Sequence, residues 1–499
     1  MNKYYISSSI AYPNGPPHLG HLLEIVIADT LARFYRNLGK QVIFQTGTDE
    51  HGRKNHVTAL AAGKTVQDFL EGTVQSFKDL YSALNISYDT FIRTSDQKIH
   101  YPGVQKVWER LVQNGDIYKS KFKSLYCVGC ESFKTVKDLK DGFCQNHPTR
   151  ILEEVEEENY FFRLSKYKDR ISEIITNRAI KIVPETKYNE VLSMLTHVED
   201  ISVSRPRDSV KWGIEIPGDP SQLIYVWIDA INSYLTGQGY GWDDERFKSV
   251  WPANCQVIGK DILKFHAIIW IGLLLAIDLP LPYELYVHGF ITVNGGKMGK
   301  SNGNSIDPQQ LLQKYPVDLL RFYFIASLTH EDLDFSEAQF EEKIDGELAN
   351  NLSNFVYRTL TLISKRLNGT IGTINHNNKY IPEIEHKCKL VHLYLEQREF
   401  KNAVDEILAI SSLGNKYYND TEVWKADLPH ATEVLTICCN IIKLLTVLIA
   451  PICPNLASNL LVQLNLSSLP TLDFDLEKHT IGIPSILVQR FKTKPFIKA

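Results

Sequence analysis

The 499-residue chain has no basic excess: 54 lysines and arginines against 58 aspartates and glutamates leave a net charge of -4. Proteins that hold nucleic acid by bulk attraction carry a large positive surplus, so any RNA contact here must be local, and DNA is not expected as a partner. No basic amphipathic or Ser/Arg-rich leader opens the chain, where Tyr4, Tyr5 and Ile6 already read as strand, so a cytoplasmic protein is expected. A clean bilayer span is missing too. The most apolar stretch, residues 434–450, is interrupted by Asn440 and Lys443, stops at Pro451, and is shorter than the ~20 residues a spanning helix needs, so no membrane partner is expected. The cysteines are not distributed as a disulfide framework: three of the eight fall between Cys127 and Cys144 and the others are scattered among apolar residues, which favours a metal site. Disorder is excluded by composition, since 44% hydrophobic and 22% charged residues are the shares of an ordinary globular protein. The chain is too long for one core, and three or four domains are expected.

The opening reads as a βαβ unit. A strand over residues 4–9 leads through Tyr12-Pro13-Asn14-Gly15-Pro16-Pro17, dense in turn formers, to a helix from His18 whose apolar stripe includes Leu22, Ile25, Val26 and Leu31. Gly39 marks the helix C-terminus, and residues 41–46 read as a second buried strand. Helical periodicity recurs over residues 65–84 and 98–114. From 119 to about 207 the character changes to short strand-like pieces, a cysteine cluster and an acidic run from Glu153 to Glu158, read as an inserted domain with a solvated acidic face. The α/β pattern returns with strands at 223–227 and 256–259, an apolar helix over 262–276 and a strand candidate at 286–293. Beyond Asp307 the main pieces are helical, at 319–325, 348–367, 386–418 and 431–461. The expected fold class is α/β: a Rossmann-like parallel-sheet domain split by an insertion and followed by an all-α bundle.

Three constellations carry chemistry. His18-Leu19-Gly20-His21 puts two histidines on one face of a helix start, beside N–H groups that already favour phosphate, and Gly20 removes a side chain that would keep a nucleotide away. Lys297-Met298-Gly299-Lys300-Ser301 follows the turn-forming Asn294-Gly295-Gly296 and sets two ammonium groups on a loop able to close over a triphosphate. Cys127-x-x-Cys130 and, about a dozen residues on, Cys144-x-x-His147 form two pairs, each short enough to bite one ion. Three thiolates and one imidazole make a tetrahedral zinc pattern, and with all four places filled by protein the site is closed and structural.

In their order and separation the histidine and lysine motifs resemble the two ATP signatures of class I aminoacyl-tRNA synthetases, and further matches over about the first 460 residues point to the methionyl branch. The resemblance implies catalytic roles for His18, His21, Lys297 and Lys300, and ATP binding by these with Tyr12, Asn14, Gly15, Gly20, Gly259, Asp261, Met298 and Ser301. It implies that Asp49, in Thr46-Gly47-Thr48-Asp49-Glu50-His51-Gly52, holds the methionine ammonium group. Ile10, Tyr12, Trp227, Ala230, Ile231, Tyr234 and His266 would surround the rest, an aromatic and aliphatic setting suited to a polarizable thioether. Asn354, Arg358 and Trp424 match the readers of the CAU anticodon, and the cysteine cluster resembles a single zinc knuckle. Two positions depart from the family pattern: Gly299 stands where Ser is usual, and Ile231 where Pro is frequent.

The implied activity is methionine–tRNA ligation: methionine and ATP with Mg²⁺ give methionyl-adenylate, and methionyl passes to the terminal adenosine of initiator or elongator tRNA. The implied organisation is a first catalytic half at 1–116, a connective insertion with the zinc knuckle at 117–218, and a second catalytic half at 219–280. A KMSKS-type loop with a stem-contact linker at 281–345 and an anticodon-binding bundle with its tail at 346–499 complete it. Nothing resembles an appended dimerising module, so a monomer is expected. Leucyl, isoleucyl and valyl enzymes need a far larger editing insertion, and a cysteinyl enzyme would place zinc in the amino-acid pocket. A non-catalytic RNA-binding relative has no use for both signatures, and a nucleotidyltransferase without RNA has no use for the long helical region.

Overall fold

The computed structural model describes residues 3–129, 132–134, 139–145, 151–293, 295–297 and 306–491. It divides into two compact units, one of residues 1–28, 39–82 and 86–288 and the other of residues 29–38, 83–85 and 289–499.

The first unit is built on six parallel strands: β1 (Lys3–Ser8), β2 (Gln41–Thr48), β3 (Thr90–Arg93), β4 (Lys181–Val183), β5 (Cys255–Gly259) and β6 (Glu284–His288). Their spatial order is β3-β2-β1-β5-β6-β4. Every residue of β5 and β6 is buried, as a parallel sheet covered on both faces requires. The chain moves outward from β1 to β3 and later resumes on the other side of β1 at β5. Such a reversal opens a crevice outside the carboxyl ends of the two central strands. Helix α1 (Leu19–Asn37) starts there, buries Leu22, Leu23, Ile25 and Val26, and ends before Gly39, whose φ of +76° favours a residue without Cβ.

Several sequence expectations are redrawn. The strand expected at 223–227 stops at Ile224 and lies in a separate antiparallel sheet with Ser204–Pro206 and Glu215–Ile216, while Val226–Ile231 is helix. A short apolar run does not distinguish strand from buried helix, and here the extended Tyr225 makes the switch. Lys181–Val183, inside the stretch read as insertion, pairs with β6 and forms an edge of the main sheet. The acidic run is one side of a ladder. Glu153–Phe162 pairs antiparallel with Ile117–Cys127, setting Lys121 opposite Glu158 and Lys123 opposite Glu156, with Lys123 also 2.9 Å from Glu154.

In the second unit the strand expected at 286–293 has its latter part, Ile291–Val293, paired with Leu333–Asp334 and Gly296–Lys297. The interruption falls at Gly289, where a Cβ would sit 2.4 Å from the Glu331 carbonyl. The helix expected over 386–418 is two, Tyr380–Gln397 and Phe400–Asp420, parted by Arg398 at φ +69°. That over 431–461 is Leu428–Ile449 and Pro454–Gln463, parted around Pro451. Leu428–Ile449 is long and apolar enough to cross a membrane, yet 83% of its apolar window is buried within the protein.

Candidate active site

Past Ser8 the chain leaving β1 stays bonded to both neighbours. Ser9 N–H donates to the Val257 carbonyl on β5 at 3.0 Å, Ala11 N–H to Gly47 at 3.0 Å, and Asp49 N–H returns to Ala11 at 2.8 Å. This zipper sets the backbone of residues 10–12 alongside that of Thr48 and Asp49 and leads the proline-rich turn to the start of α1 at the crevice.

At that start the two histidines stack, with ring centroids 3.8 Å apart and planes inclined by 21°. The Gly20 N–H donates to His18 Nδ1 at 3.1 Å and the His18 N–H donates to His21 Nδ1 at 3.2 Å. The imidazoles thereby cap the helix in the way Ser and Glu side chains usually do. Burial first, and the neighbouring His18 second, hold His21 well below the usual histidine pKa. Neutral His21, accepting at Nδ1, carries its proton on Nε2 and offers a donor there. Gly20 has a sharper role than leaving room for a nucleotide. A Cβ on it would press to 3.0 Å from His18 Cε1 and 3.1 Å from Nδ1, so its absence lets the His18 ring fold back over the helix start.

Glu24, one turn below, accepts from Ser9 N–H at 2.7 Å and Ser9 Oγ at 2.5 Å on one oxygen, and its other oxygen pairs with His288 Nε2 at 3.1 Å. Across the crevice, a Cβ at Gly259 would lie 2.8 Å from Asp261 Oδ1 and 3.8 Å from the His288 ring, so this glycine too keeps the crevice open.

The residues expected to surround the side chain of the substrate lie on two short helices and a π-helical turn. Trp227, Ala230 and Ile231 ride on Val226–Ile231, Tyr234 on Ser233–Thr236, and His266 on the π-helix Phe265–Trp270, a wide turn common at functional sites. Half-buried Trp227 stacks on Phe265 at 4.0 Å, and buried Tyr234 donates its hydroxyl to His266 Nε2 at 2.7 Å. The sense of that bond follows from the other nitrogen. His266 Nδ1 lies 3.0 Å from the Ile262 carbonyl, which can only accept, and burial lowers the His266 pKa to about 4, leaving one ring proton. Both nitrogens of His266 are thus engaged by protein, Nε2 by the Tyr234 hydroxyl and Nδ1 by the Ile262 carbonyl.

Sequence reading passed over several residues here. Phe265, Asp229 and His51 lie inside segments it singled out, whereas Glu24, His100 and His288 carry no local signal. Asp229 is fully buried and accepts from His51 Nδ1 and His100 Nε2, each at 2.6 Å. Burial alone would raise its pKa, but the two histidines outweigh it and hold the carboxyl below its usual value.

Of the zinc pattern, Cys127 and Cys144 are buried at the ends of Ile117–Cys127 and Phe143–Cys144, and Cys130 and His147 lie outside the described residues. No group of three metal-binding side chains occurs among the described residues. Lys297 is described in backbone only, in the strand Gly296–Lys297, and Met298, Gly299, Lys300 and Ser301 lie outside the described residues.

In the helical unit Arg358 lies over the Tyr418 ring, 4.6 Å from its centroid, and donates to Asn419 Oδ1 at 2.9 Å. Tyr418 in turn neighbours Trp424, centroids 5.8 Å apart, and Trp424 is 42% exposed. Asn354 is exposed one turn before Arg358. The three expected anticodon readers thus include two joined through Tyr418, and Tyr418 and Asn419 are additions from the structure.

The family described as tRNA synthetases class I (M) matches residues 4–151 and 134–360, and the anticodon binding domain of methionyl tRNA ligase matches residues 368–480. The methionine–tRNA ligase of Caldanaerobacter subterraneus is 38% identical over 476 residues, 93% of this chain and 74% of the relative, and that of a Synechocystis species is 37% identical over 95% of this chain and 90% of the relative. The Mycobacterium tuberculosis methionyl-tRNA synthetase solved with methionyl-adenylate is similar throughout, with a TM-score of 0.91, 31% identity, and coverage of 98% of this chain and 99% of that one.

Proposed function

The chain belongs to the methionyl branch of the class I aminoacyl-tRNA synthetases, and from that premise we propose which of its residues carry the reaction. The activity is that of a methionine–tRNA ligase: methionine is activated with ATP to methionyl-adenylate, and the methionyl group is transferred to tRNA.

In the first step the methionine carboxylate attacks the α-phosphate in line, a new O–P bond forms, the α–β phosphoanhydride breaks and pyrophosphate leaves. No protein nucleophile is needed, so the protein contributes position and hydrogen-bond donors. His18 and His21 meet the α-phosphate at the crevice, with Nε2–H of His21 as a donor that needs no change of protonation near neutral pH. Tyr12, Asn14, Gly15, Gly20, Gly259 and Asp261 cradle the nucleotide. Lys297 and Lys300, with Met298 and Ser301, attend the departing pyrophosphate, and Mg²⁺ accompanies ATP. Asp49 holds the ammonium group. Ile10, Tyr12, Trp227, Ala230, Ile231 and Tyr234 enclose the side chain, with His266 orienting Tyr234. In the second step the terminal adenosine hydroxyl attacks the adenylate carbonyl and AMP leaves.

Asn354, Arg358 and Trp424 read the anticodon of initiator and elongator methionine tRNA by edge hydrogen bonds and stacking. Cys127, Cys130, Cys144 and His147 would hold one structural zinc; the burial of the two described thiols fits a site closed to solvent. The five-segment organisation, the monomeric state and a cytoplasmic location complete the reading.

The observation that carries it is the pair of imidazoles capping α1 at the point where the strand order reverses. The test is pyrophosphate exchange with each amino acid in turn. Methionine alone should support rapid exchange, and the charged product should form on methionine tRNA; exchange that ignores methionine would refute the assignment.

A further inference from the structure

The fully buried Asp229 has no part in the reaction as described, yet it joins the loop of Asp49 to the two short helices that carry Trp227 and Tyr234 in the proposed methionine pocket. Its Oδ2 accepts from His51 and its Oδ1 from His100. His51 is two residues beyond Asp49, on the loop that would hold the ammonium group. Asp229 itself stands between Trp227 and Ala230 on the helix that would wall the side chain. His100 places its other nitrogen 2.7 Å from Thr236 Oγ1, at the end of the helix bearing Tyr234. His51 also closes outward, its Nε2 lying 3.1 Å from Tyr101 Oη and its ring 5.3 Å from Trp212, whose indole donates to the Glu50 carbonyl at 2.8 Å.

We propose that Asp229, with His51 and His100, is a positioning relay that sets the distance between the ammonium-holding loop and the aromatic wall, and so governs affinity for methionine. The chemistry favours this over plain packing. A buried carboxylate is costly unless its oxygens are satisfied, and once satisfied by two donors at 2.6 Å it admits little play. The Asp49 loop, through His51, and the Tyr234 helix, through His100 and Thr236, are thereby tied to one small anion that itself lies two residues from Trp227. Apolar packing of the same volume would tolerate the sliding that a fit to one thioether does not.

The inference rests on the proposed pocket, and the experiment separates the two. In pyrophosphate exchange Asp229→Asn replaces an acceptor oxygen by a donor facing a histidine N–H. The methionine KM is expected to rise about tenfold, the equivalent of one lost hydrogen bond, with ATP KM and kcat within about twofold. A general loss of folded enzyme would lower kcat and leave both KM values in place. Should Asp229→Asn not fold, the pair His100→Gln and His100→Leu serves: the amide retains a donor toward Asp229 and is expected to keep most of the affinity for methionine that the leucine loses. An unchanged methionine KM in folded Asp229→Asn, an equal rise for ATP, or indistinguishable His100 variants would overturn the relay. Asp49→Asn measured alongside tests the pocket itself: a raised methionine KM there with an unaffected Asp229→Asn refutes the relay alone, whereas an unaffected Asp49→Asn refutes the pocket on which it rests.

Discussion

At the start of α1 two ring nitrogens, His18 Nδ1 and His21 Nδ1, accept from backbone N–H groups that a helix otherwise leaves unpaired. The same bonds decide which way the rings face, so capping and the proposed catalytic role draw on one arrangement. Gly20 permits it, and the consequence is testable. Gly20→Ala should leave stability unchanged or raise it by up to ~1 kcal/mol, because alanine is the better helix former. The added Cβ, 3.0 Å from the His18 ring, should nevertheless displace that imidazole and lower kcat for pyrophosphate exchange at least about tenfold, a loss of one well-placed donor. A melting curve and an exchange assay on one preparation check both halves, and a fully active variant would contradict the role given to His18. His266 yields a second prediction. Its folded pKa of about 4 lies below the ordinary 6.5, so between those values the unfolded chain binds the extra proton. Its contribution is therefore complete above pH 6.5 and is lost as pH falls towards 4, amounting to ~3 kcal/mol. His21 titrates in the same direction. His266→Gln should flatten the acid limb of a stability-against-pH curve, and an unaltered slope would count against the buried, neutral assignment.

Among the elements, those with long regular periodicity were legible from residues alone: β1, β2, α1 and the helices near 66–83 and 100–113 fall where apolar spacing and Gly39 put them. Less legible were the places where tertiary pairing overrides local pattern. Val226 and Trp227 are as apolar as a strand, but Tyr225 turns the chain into a helix that carries the pocket; Lys181–Val183 is too short to announce that it joins the main sheet. The proposed pocket residues Trp227, Tyr234 and His266 fall within motifs, whereas His100, which bonds Thr236 from 136 residues away, leaves no trace in local sequence. Arg321 is another such case. Fully buried, it bonds to the carbonyls of Leu84, Pro451 and Ile452 and pairs with Asp29 at 2.7 Å, tying four segments of the helical unit together. Arg321→Met should cost about 3–5 kcal/mol by leaving Asp29 buried without that partner, measured by denaturant unfolding; a cost under about 1 kcal/mol would show the cluster to be dispensable. In the insertion, zinc removal by a chelator should lower the melting temperature and release one metal per chain, whereas unchanged melting would refute the knuckle.

For the molecule as a whole, a net charge of -4 means that tRNA selection depends on a few placed groups rather than on a basic surface. The proposed anticodon readers and the proposed activation pocket fall in different compact units: Asp49, Trp227, Tyr234 and His266 in the first, Asn354, Arg358 and Trp424 in the second. Single substitutions should therefore separate the two half-reactions. Trp424 is the informative position because it is 42% exposed and neighbours Tyr418, whose ring also lies under Arg358. Removing it takes away a stacking surface worth roughly 1–3 kcal/mol per base without opening a core cavity. Trp424→Ala is expected to raise the KM for tRNA by about tenfold to a hundredfold, while methionine-dependent pyrophosphate exchange stays within about twofold of the parent, since no group touching methionine or ATP is altered. A tRNA with a changed anticodon should discriminate further: the parent should reject it strongly and Trp424→Ala only weakly. Equal losses in exchange and charging would make Trp424 a packing residue, and an unchanged preference among anticodons would remove the aromatic face around Tyr418 from tRNA recognition altogether.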